Sequence, residues 1–348
     1  MNSSALTSTT SVQQLAQSRA AKWVGGLALL GIGSALWVRS RARRAERQNP
    51  PRGRFIDVDG VRLHYVDRGT GPAVVLLHGN TVSSADFQAS GLIEGLAQRH
   101  RVLAFDRPGF GHSGRPRGRL WTPAAQAKVI HQALEALAVR EPVVVAHSMG
   151  TQVALAMALA HPTYASRLVL MGGYYYPSLR ADVLLTAPAA LPVVGDAMRY
   201  TVTALSARAL LPVTVKGMFS PQPVPSEFFP VLSREMLLRP WQLRANAEDA
   251  AFMVPAAKSM QEQYKTLQHL PITLIAGDAD KVVDLQANSL RLHQTLPQSQ
   301  LWVVEGAGHM AHYADPEAVI AAVEGRPSHL QPASSSTAST TQQPEQVA

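Results

Sequence analysis

Between residues 55 and 325, short apolar segments alternate with helical ones, and this alternation limits the fold more than any other feature of the chain. Ala73-Val-Val-Leu-Leu77 and Arg167-Leu-Val-Leu-Met171 are apolar runs typical of strands that are covered on both faces. Helical periodicity separates such runs. The pattern predicts an α/β fold, with a mostly parallel sheet and helices on both of its faces. Predicted strands lie at 55–58, 61–66, 73–77, 101–105, 142–146, 167–171, 272–276 and 301–304, and predicted helices at 85–97, 123–138, 149–160, 284–296 and 316–324.

Two parts of this region depart from the alternation. Residues 55–66 alternate around Asp59-Gly60, which predicts a hairpin at one edge of the sheet. Residues 174–255 lack strand alternation and contain many Leu, Ala, Met and Pro residues in short helical stretches, such as 196–210 and 226–238. This segment is too long and too apolar for a loop. We therefore predict a helical insertion over the carboxyl edge of the sheet, where ligands bind in such sheets.

The chain is basic overall, with a net charge of +8, but the charge is concentrated at its start. Residues 1–54 hold nine of the 32 Lys and Arg residues and one of the 24 acidic residues, which leaves 23 of each in the remainder. The zero net charge after residue 54 argues against nucleic acid as a partner, because binding to nucleic acid depends on a basic protein surface. The absence of cysteine excludes disulfides, zinc-thiolate sites, iron–sulfur clusters and a cysteine nucleophile.

The segment from Trp23 to Val38 contains no ionisable side chain. As a helix it would be about 24 Å long, slightly less than the ~30 Å hydrocarbon core of a bilayer. Lys22 and Arg39 could extend to the two interfaces, where Trp23 and Trp37 also belong. We predict a transmembrane anchor over residues 23–38. A cleaved signal peptide and a helix lying on the membrane surface remain open alternatives, although an Arg-rich stretch follows in place of a cleavage site.

The flanks of this segment predict its orientation and the remaining boundaries. Two basic residues precede it and seven follow within about sixteen residues, so the positive-inside rule places the following domain in the cytoplasm. Residues 1–22 and 326–348 are rich in Ser, Thr and Gln and are predicted to be disordered. Residues 39–54 are predicted to be a basic juxtamembrane linker that leads to a single domain over 55–325.

The sequence Val143-Val-Val-Ala-His-Ser-Met-Gly150 joins the end of a predicted strand to the start of a predicted helix. A nucleophile elbow, with the pattern G-x-S-x-G, occupies such a turn and needs small residues because strand and helix pass close together. Here Gly150 is present and Ala146 replaces the first glycine, which adds one methyl group. Ser148 is therefore the predicted nucleophile.

A serine nucleophile of this kind requires an acid and then a histidine further along the chain. His309 follows the strand 301–304 in a glycine-flanked loop and is predicted to take the proton of Ser148. Three aspartates follow the strand 272–276: Asp278, Asp280 and Asp284. We favour Asp280 as the residue that orients His309, and we assign Asp278 to bracing the loop.

The developing oxyanion needs two backbone N–H donors. The N–H of Met149, directly after the nucleophile, is one predicted donor, and the N–H of Asn80 is the other. Gly79 lets the backbone turn toward the serine, and His78 is interpreted as a support for that loop. Acyl transfer by such a site needs no cofactor and no metal ion, and we predict none.

Together these motifs resemble the α/β-hydrolase superfamily, in the group of small lidded serine esterases and lipases. The resemblance covers residues 55–325 and implies an α/β-hydrolase fold with a lid at about 174–255. The His78-Gly-Asn80 loop also resembles haloalkane dehalogenases and epoxide hydrolases, but those enzymes have an aspartate nucleophile where this chain has Ser148. The matching segments are His78-Gly-Asn80, Asp106-Arg-Pro-Gly-Phe-Gly-His-Ser113, Ala146-His-Ser-Met-Gly150, Gly277-Asp-Ala-Asp280 and Gly306-Ala-Gly-His309.

The sequence thus predicts a membrane-anchored carboxylic-ester hydrolase acting on a small-molecule ester, with hydrophobic acyl or lipid-like substrates favoured. The apolar lid, Tyr174-Tyr-Tyr176 and the N-terminal helix support that preference. An acyltransferase, a carbon–carbon bond hydrolase or a cofactor-free perhydrolase would use the same three residues, and the sequence does not separate them. A non-catalytic, membrane-tethered binding protein is the alternative from another class.

Overall fold

Eight strands form one sheet in the computed structural model, which describes residues 5–178 and 187–330. All eight lie within one or two residues of the predicted positions. They are β1 Arg54–Val58, β2 Val61–Arg68, β3 Ala73–Leu77, β4 Arg101–Phe105, β5 Val143–His147, β6 Arg167–Met171, β7 Ile272–Gly277 and β8 Gln300–Val304. The order across the sheet is β1-β2-β4-β3-β5-β6-β7-β8.

Strands β3 to β8 are parallel, whereas β1 and β2 form the predicted antiparallel hairpin at one edge. Asp59 and Gly60 both have positive φ angles, of 48° and 70°, as a two-residue hairpin turn of this hand requires. The strand order reverses direction at β3, since β4 lies on one side of it and β5 on the other. The loops after β3 and β5 therefore leave the sheet in different directions, which opens a crevice at its carboxyl edge.

Helices cover both faces of the sheet, as predicted. The described helices are α1 Ala5–Gln48, α2 Ala85–Ala89, α3 Leu92–Leu96, α4 Pro123–Ala136, α5 Met149–Ala160, α6 Val194–Arg199, α7 Val202–Phe219, α8 Phe228–Leu232, α9 Arg234–Leu237, α10 Pro240–Met260, α11 Arg291–Thr295, α12 Ala311–Ala314 and α13 Pro316–Glu324. Helices α4 and α5 supply apolar residues to the core on one face of the sheet. Helices α2, α3 and α13 supply those on the other face.

Two of the five helices predicted outside the insertion are interrupted in the structure. The segment predicted as one helix over 85–97 is divided into α2 and α3, because Gly91 adopts a left-handed conformation with φ 78°. The segment predicted over 284–296 begins with a π-helical turn at Gln286–Leu290 and continues as α11. The last helix, α13, has the predicted bounds, and Asp315 caps its start by accepting from the N–H of Ala318.

The predicted helical insertion lies between β6 and β7 and contains α6 to α10. Part of it, residues 179–186, lies outside the described residues. The insertion continues beyond the predicted end at Pro255, because α10 includes this proline and runs to Met260. A proline removes one hydrogen bond from a helix, but the last turn of α10 is retained because Ala257 and Met260 are buried.

The N-terminal region differs most from the prediction. Residues 5–22, predicted to be disordered, and residues 39–48, predicted to be a linker, belong to the single helix α1. Residues 5–22 contain no Gly or Pro, so nothing in them stops a helix. Val38, Ala42 and Ala45 in the last part of α1 are buried, and this packing stabilises the segment that we expected to be a linker.

Both predicted disordered termini lie partly outside the described residues, namely at 1–4 and 331–348. Residues 326–330 form an irregular segment after α13. Within it, His329 approaches Asp315 at 2.8 Å, and Leu330 packs against the apolar core beside the sheet.

Candidate active site

Ser148 occupies the turn between β5 and α5 in a strained backbone conformation, with φ 51° and ψ −121°. A non-glycine residue at positive φ costs about 1–3 kcal/mol, which the surrounding packing must offset. The backbone N–H of Ser148 donates to the carbonyl of Met171 at the end of β6, over 2.9 Å. The turn thus lies at the carboxyl edge of the sheet, and it has the strand–turn–helix geometry of a nucleophile elbow.

Two glycines allow this turn to form. A Cβ atom on Gly150 would overlap the carbonyl oxygen of Leu77, so α5 can cross β3 closely only with glycine at this position. A Cβ atom on Gly79 would lie 3.0 Å from Cβ of Ser148, closer than most contacts of this kind. Ala146, which replaces the first glycine of the consensus, is fully buried in β5. The strand therefore accommodates the additional methyl group.

The structure brings Ser148, His309 and Asp280 together in one hydrogen-bonded chain. Nε2 of His309 lies 2.9 Å from Oγ of Ser148, and Nδ1 of His309 lies 2.8 Å from Oδ2 of Asp280. Because a carboxylate only accepts, Nδ1 carries the proton and Nε2 can accept the hydroxyl proton of the serine. The N–H groups of Val282 and Val283 donate to Oδ1 of Asp280, over 2.7 and 3.0 Å, and fix the orientation of the carboxylate.

The other two aspartates of this loop have separate partners. Oδ1 of Asp278 accepts from the N–H of Gly306 over 2.7 Å, which ties the loop after β7 to the loop that carries His309. Oδ1 of Asp284 accepts from the N–H of Ala287 over 2.6 Å, at the start of the following helical turn. Neither is hydrogen-bonded to His309 in the described part of the chain.

The two predicted oxyanion donors lie on opposite sides of Ser148 in the chain. Met149 is the first residue of α5, and the first N–H groups of a helix have no acceptor within the helix. Asn80 belongs to the loop after β3, whose Gly79 contacts the serine. The side chain of Asn80 donates to the carbonyl of Asn246 in α10 over 3.2 Å, so the insertion holds this loop directly.

A buried arginine organises the same loop. The guanidinium of Arg107 donates to the carbonyls of His78 and Gly79, over 2.8 and 3.0 Å, and pairs with Asp249 of α10 at 2.5 Å. His78 accepts from the N–H of Arg107 through Nε2, over 2.9 Å. Burial, followed by the charge of Arg107, lowers the pKa of His78 to about 4, so its ring is neutral at pH 7. This geometry agrees with the interpretation of His78 as a support.

Sequence reasoning missed the part that α10 has in this network. Asn246 also accepts, through its side-chain oxygen, from the N–H of Thr81 over 2.8 Å. Asp249 pairs with Arg115 as well as with Arg107, and Gln126 donates to it over 3.0 Å. No local pattern marks Asn246 or Asp249, because both stand in the middle of a helix and acquire their partners only through tertiary contact.

A second buried cluster, of ionisable side chains, lies next to the loop that carries His309. Asp86, His147 and His312 offer ligand atoms within 4.8 Å of one another, and they are the one such group found among the described residues that could hold a metal ion by composition. Asp86 already accepts from His312 over 3.0 Å and from the hydroxyl of Tyr313 over 2.8 Å. These bonds join α12, just after His309, to α2.

His147 also supports the histidine loop. Its Nε2 lies 3.1 Å from the backbone carbonyl of His309, which can only accept, so Nε2 carries the proton. Burial and the neighbouring histidines, His312 first, lower the pKa of His147 well below its ordinary value. The His147 ring is therefore neutral. It links the nucleophile elbow to the backbone of His309.

Apolar residues close to the site in the chain belong to two clusters. Val82, near Asn80, and Met310, after His309, pack with apolar residues of α7, α8 and α9. Val283, whose N–H donates to Asp280, packs with Tyr174 and Ala257. The remaining two tyrosines of the predicted group, Tyr175 and Tyr176, belong instead to the core beneath the insertion. A separate cavity of about 360 Å³ lies between the hairpin and α10, and its lining includes neither Ser148 nor His309.

A mostly parallel sheet, an elbow turn after its fifth strand and a helical insertion at its carboxyl edge together define the α/β-hydrolase class of enzymes. The chain belongs to this family: the family model described as alpha/beta hydrolase fold matches residues 72–316.

Individual relatives agree with the family. The chain is 31% identical over 293 residues to an uncharacterised protein of Mycobacterium tuberculosis, covering 79% of this chain and 81% of that protein. It is 29% identical over 272 residues to a 2-hydroxymuconate semialdehyde hydrolase of Pseudomonas putida, covering 76% and 90%.

Solved structures show the same fold. A thermophilic esterase from Thermogutta terrifontis superposes with a TM-score of 0.63 at 23% identity, covering 78% of this chain and 97% of that chain. A membrane phospholipase A, described as a bacterial virulence factor, superposes with a TM-score of 0.57 at 19% identity, covering 90% and 98%.

Proposed function

We propose that this protein is a serine hydrolase that cleaves carboxylic esters through an acyl-enzyme. The observation that carries the proposal is the hydrogen-bonded chain from Ser148 through His309 to Asp280. Oγ of Ser148 attacks the acyl carbon while Nε2 of His309 takes its proton. His309 then returns the proton to the leaving alcohol, and water releases the acyl group by the same steps.

The N–H groups of Met149 and Asn80 are the donors that we propose for the tetrahedral oxyanion. The loop of Asn80 is held by Arg107 and by Asn246 before any substrate binds. Donors that are held in place do not have to reorganise when the negative charge develops, which is the main source of rate enhancement at such sites.

The substrates that we favour have a hydrophobic acyl group. Val82, Met310 and Val283 belong to apolar clusters and stand within three residues of Asn80, His309 and Asp280 in the chain. An acyl chain gains about 0.8 kcal/mol for each CH2 group that it buries in such an environment.

Residues 23–38 are proposed to anchor the enzyme in a membrane, with the domain on the cytoplasmic side. Lys22–Gln48 has a stretch with mean hydropathy 1.2, of which 6% is buried, so it is not a core helix. A signal peptide is less favoured, because the same helix continues into residues that pack on the domain.

Hydrolysis of p-nitrophenyl esters from C2 to C16 tests the proposed activity. The detergent-solubilised full chain is compared with Ser148→Ala and with Ser259→Ala, an exposed serine on α10 that serves as the matched control. We expect turnover only in the chains that keep Ser148, with the highest kcat/KM at C8 or longer. A maximum at C2–C4 would contradict the hydrophobic preference, and serine-independent turnover would contradict the mechanism.

A carbon–carbon bond hydrolase is the second candidate, because the Pseudomonas putida relative matches over 90% of its length. The same chain is offered 2-hydroxymuconate semialdehyde, and the loss of its absorbance is followed. Turnover that exceeds the best ester by tenfold or more in kcat/KM would favour this candidate over the esterase.

An acyltransferase or a perhydrolase would share the acyl-enzyme and differ in the group that accepts the acyl chain. Product analysis with added alcohol or hydrogen peroxide separates them from a hydrolase, for which the free acid is expected as the main product. Labelling of Ser148 by a fluorophosphonate is expected in each case. A folded chain that does not label would indicate a binding protein.

A further inference from the structure

The insertion exposes an apolar surface beside α1. On α7, Val202, Leu205, Leu210 and Val213 are between 54% and 68% exposed, whereas Leu211 and Val215 are buried on the opposite face. A surface helix normally presents polar side chains to water. In α7, the only charged residues are Arg208 and Lys216. This outward face also carries the exposed Ser206 and Lys216, but its four large apolar side chains make it mainly apolar, where a protein surrounded by water would be polar.

Contacts along α1 show which part of α1 this surface lies beside. Oγ of Ser34 donates to the carbonyl of Tyr200 over 3.0 Å, just before α7. Arg41 and Arg208 both pair with Glu235, at 3.0 and 2.6 Å. Further along, the buried Arg239 pairs with Glu46 at 3.0 Å. From Ser34 to Glu46, α1 rises about 18 Å at 1.5 Å per residue, and the insertion follows it over that whole distance.

The start of α7 lies beside the end of the uncharged segment of α1. The guanidinium of Arg208 lies 5.2 Å from the ring centre of Trp37, and Ala204 borders the same small gap as Val38. Val38 is the last residue before the basic run that begins at Arg39. Ala204 stands between Val202 and Leu205. These two residues therefore lie beside the point of α1 where the apolar segment ends and the charged segment begins.

We propose that the start of this face, at Val202 and Leu205, lies in the lipid bilayer at the boundary between hydrocarbon and headgroups. The proposal rests on the membrane anchor proposed above, because the position of α1 in the bilayer sets the depth of the insertion. The Arg41–Glu235–Arg208 group then lies at headgroup level, where charged side chains are solvated. The uncharged segment of α1 and the start of α7 then form one continuous lipid-facing surface.

This placement deepens the proposed function by naming the source of the substrate. The opposite end of α7 reaches the candidate active site, where a Cβ atom on Gly308, next to His309, would overlap the carbonyl oxygen of Ser220. From Val202 to Phe219, α7 spans about 25 Å. One helix thus connects the bilayer boundary with the histidine loop. The inferred substrate class is therefore a membrane-lipid ester that leaves the bilayer beside the start of α7 and moves along this helix to the histidine loop.

The absence of cysteine permits a direct test by single-cysteine labelling of the full chain. Leu29→Cys, Val202→Cys, Leu205→Cys and Gln98→Cys are each labelled with bimane and reconstituted in phosphatidylcholine vesicles. Gln98 is an exposed residue just before β4, at the edge of the sheet opposite the insertion. Quenching is measured with two lipids, one that carries a nitroxide near the top of the acyl chain and, for the Leu29 probe, one that carries it near the end of the chain. We expect the Val202 and Leu205 probes to be quenched at least threefold more than the Gln98 probe.

The Leu29 probe separates failure of this inference from failure of the anchor. Quenching at Leu29 together with Gln98-like values at Val202 and Leu205 would overturn the bilayer contact and keep the anchor. No quenching at any position would overturn both. Ser148-dependent hydrolysis of a soluble ester, measured on the same samples, shows that each variant is folded and tests the proposed chemistry separately.

A second copy of the chain is the other occupant that the apolar face could have. Mixed donor- and acceptor-labelled Val202→Cys chains that show energy transfer at high lipid excess, without quenching by the nitroxide lipid, would overturn the proposal in favour of that copy. The pair Val202→Asn and Leu205→Asn supplies an activity readout. We expect at least fivefold lower hydrolysis of a vesicle-embedded lipid ester and unchanged hydrolysis of a short soluble ester. Variants that keep the wild-type rate on the vesicle-embedded lipid ester would contradict the bilayer contact.

Discussion

Asp280 and Asp278 are two residues apart, but only Asp280 is hydrogen-bonded to His309. We expect Asp280→Asn to lower kcat by roughly 10³-fold or more, because an amide cannot hold the Nδ1–H tautomer as a carboxylate does. Asp278→Asn is the matched control, since its oxygen can still accept from Gly306, and we expect less than a threefold change. Ester hydrolysis measures both, and similar losses in the two variants would contradict the assignment.

His78 makes stability depend on pH, because its pKa is lowered to about 4 in the folded state by burial and by Arg107. Below pH 6.5, His78 is protonated in the unfolded chain. In the folded chain, it becomes protonated only as the pH falls to about 4. Stability is therefore lost as the pH falls through this window. At about 1.4 kcal/mol per pKa unit, His78 accounts for a loss of about 3 kcal/mol.

Guanidinium unfolding at pH 7 and pH 4.5 measures this effect in the wild type and in His78→Asn. The variant is expected to have a smaller pH dependence, but not none, because burial also lowers the pKa of His112 to about 4. An unchanged pH dependence in the variant would show that His78 is not responsible.

At the scale of single residues, local motifs singled out Ser148, Asp280 and His309, which the structure brings into one hydrogen-bonded chain. Each of the three follows a recognisable strand in a small-residue turn. The same reasoning did not find Asn246 or Asp249. Their roles depend on which loop α10 packs against, and a helix in an insertion has no periodic signal for that.

At the scale of elements, the crossing of α5 over β3 depends on Gly150. We expect Gly150→Ala to destabilise the fold by roughly 3 kcal/mol or more, since the new Cβ would overlap the backbone of Leu77 and cannot be accommodated by a side-chain movement. Gly217→Ala on α7 is the matched control. No atom lies within 4 Å of its Cβ position, so neutral or slightly higher stability is expected there. Thermal unfolding compares the two variants, and equal effects would contradict this account.

The strands were more predictable than the helices. A strand covered on both faces is a short apolar run with sharp ends, as in β3 and β4, whose predicted and observed bounds agree. A helix boundary depends on how one residue, such as Gly91, is packed. The break between α2 and α3 was therefore not visible in the periodicity.

At the scale of the whole molecule, one of the contacts that hold α1 to the insertion joins Glu46 to Arg239, whose guanidinium is buried. We expect Glu46→Gln to cost about 1–2 kcal/mol, because a buried charge loses its charged partner while Glu46 itself is partly exposed. Trypsin should then cleave faster in residues 39–47, as the end of α1 loosens. Glu94→Gln, an exposed acid on α3, is the control. Unchanged cleavage in Glu46→Gln would mean that other contacts hold α1.

The sequence by itself determined the α/β class, the strand positions, the neutral body with a basic leader and the three residues that we propose for catalysis. These properties depend on local periodicity, composition and short motifs. Only the tertiary structure decided that residues 39–48 continue α1, that α10 holds the Asn80 loop and that the apolar face of α7 lies beside the uncharged segment. Each of these depends on contacts between residues far apart in the chain, as between Ser34 and Tyr200, and such contacts have no counterpart in any local pattern.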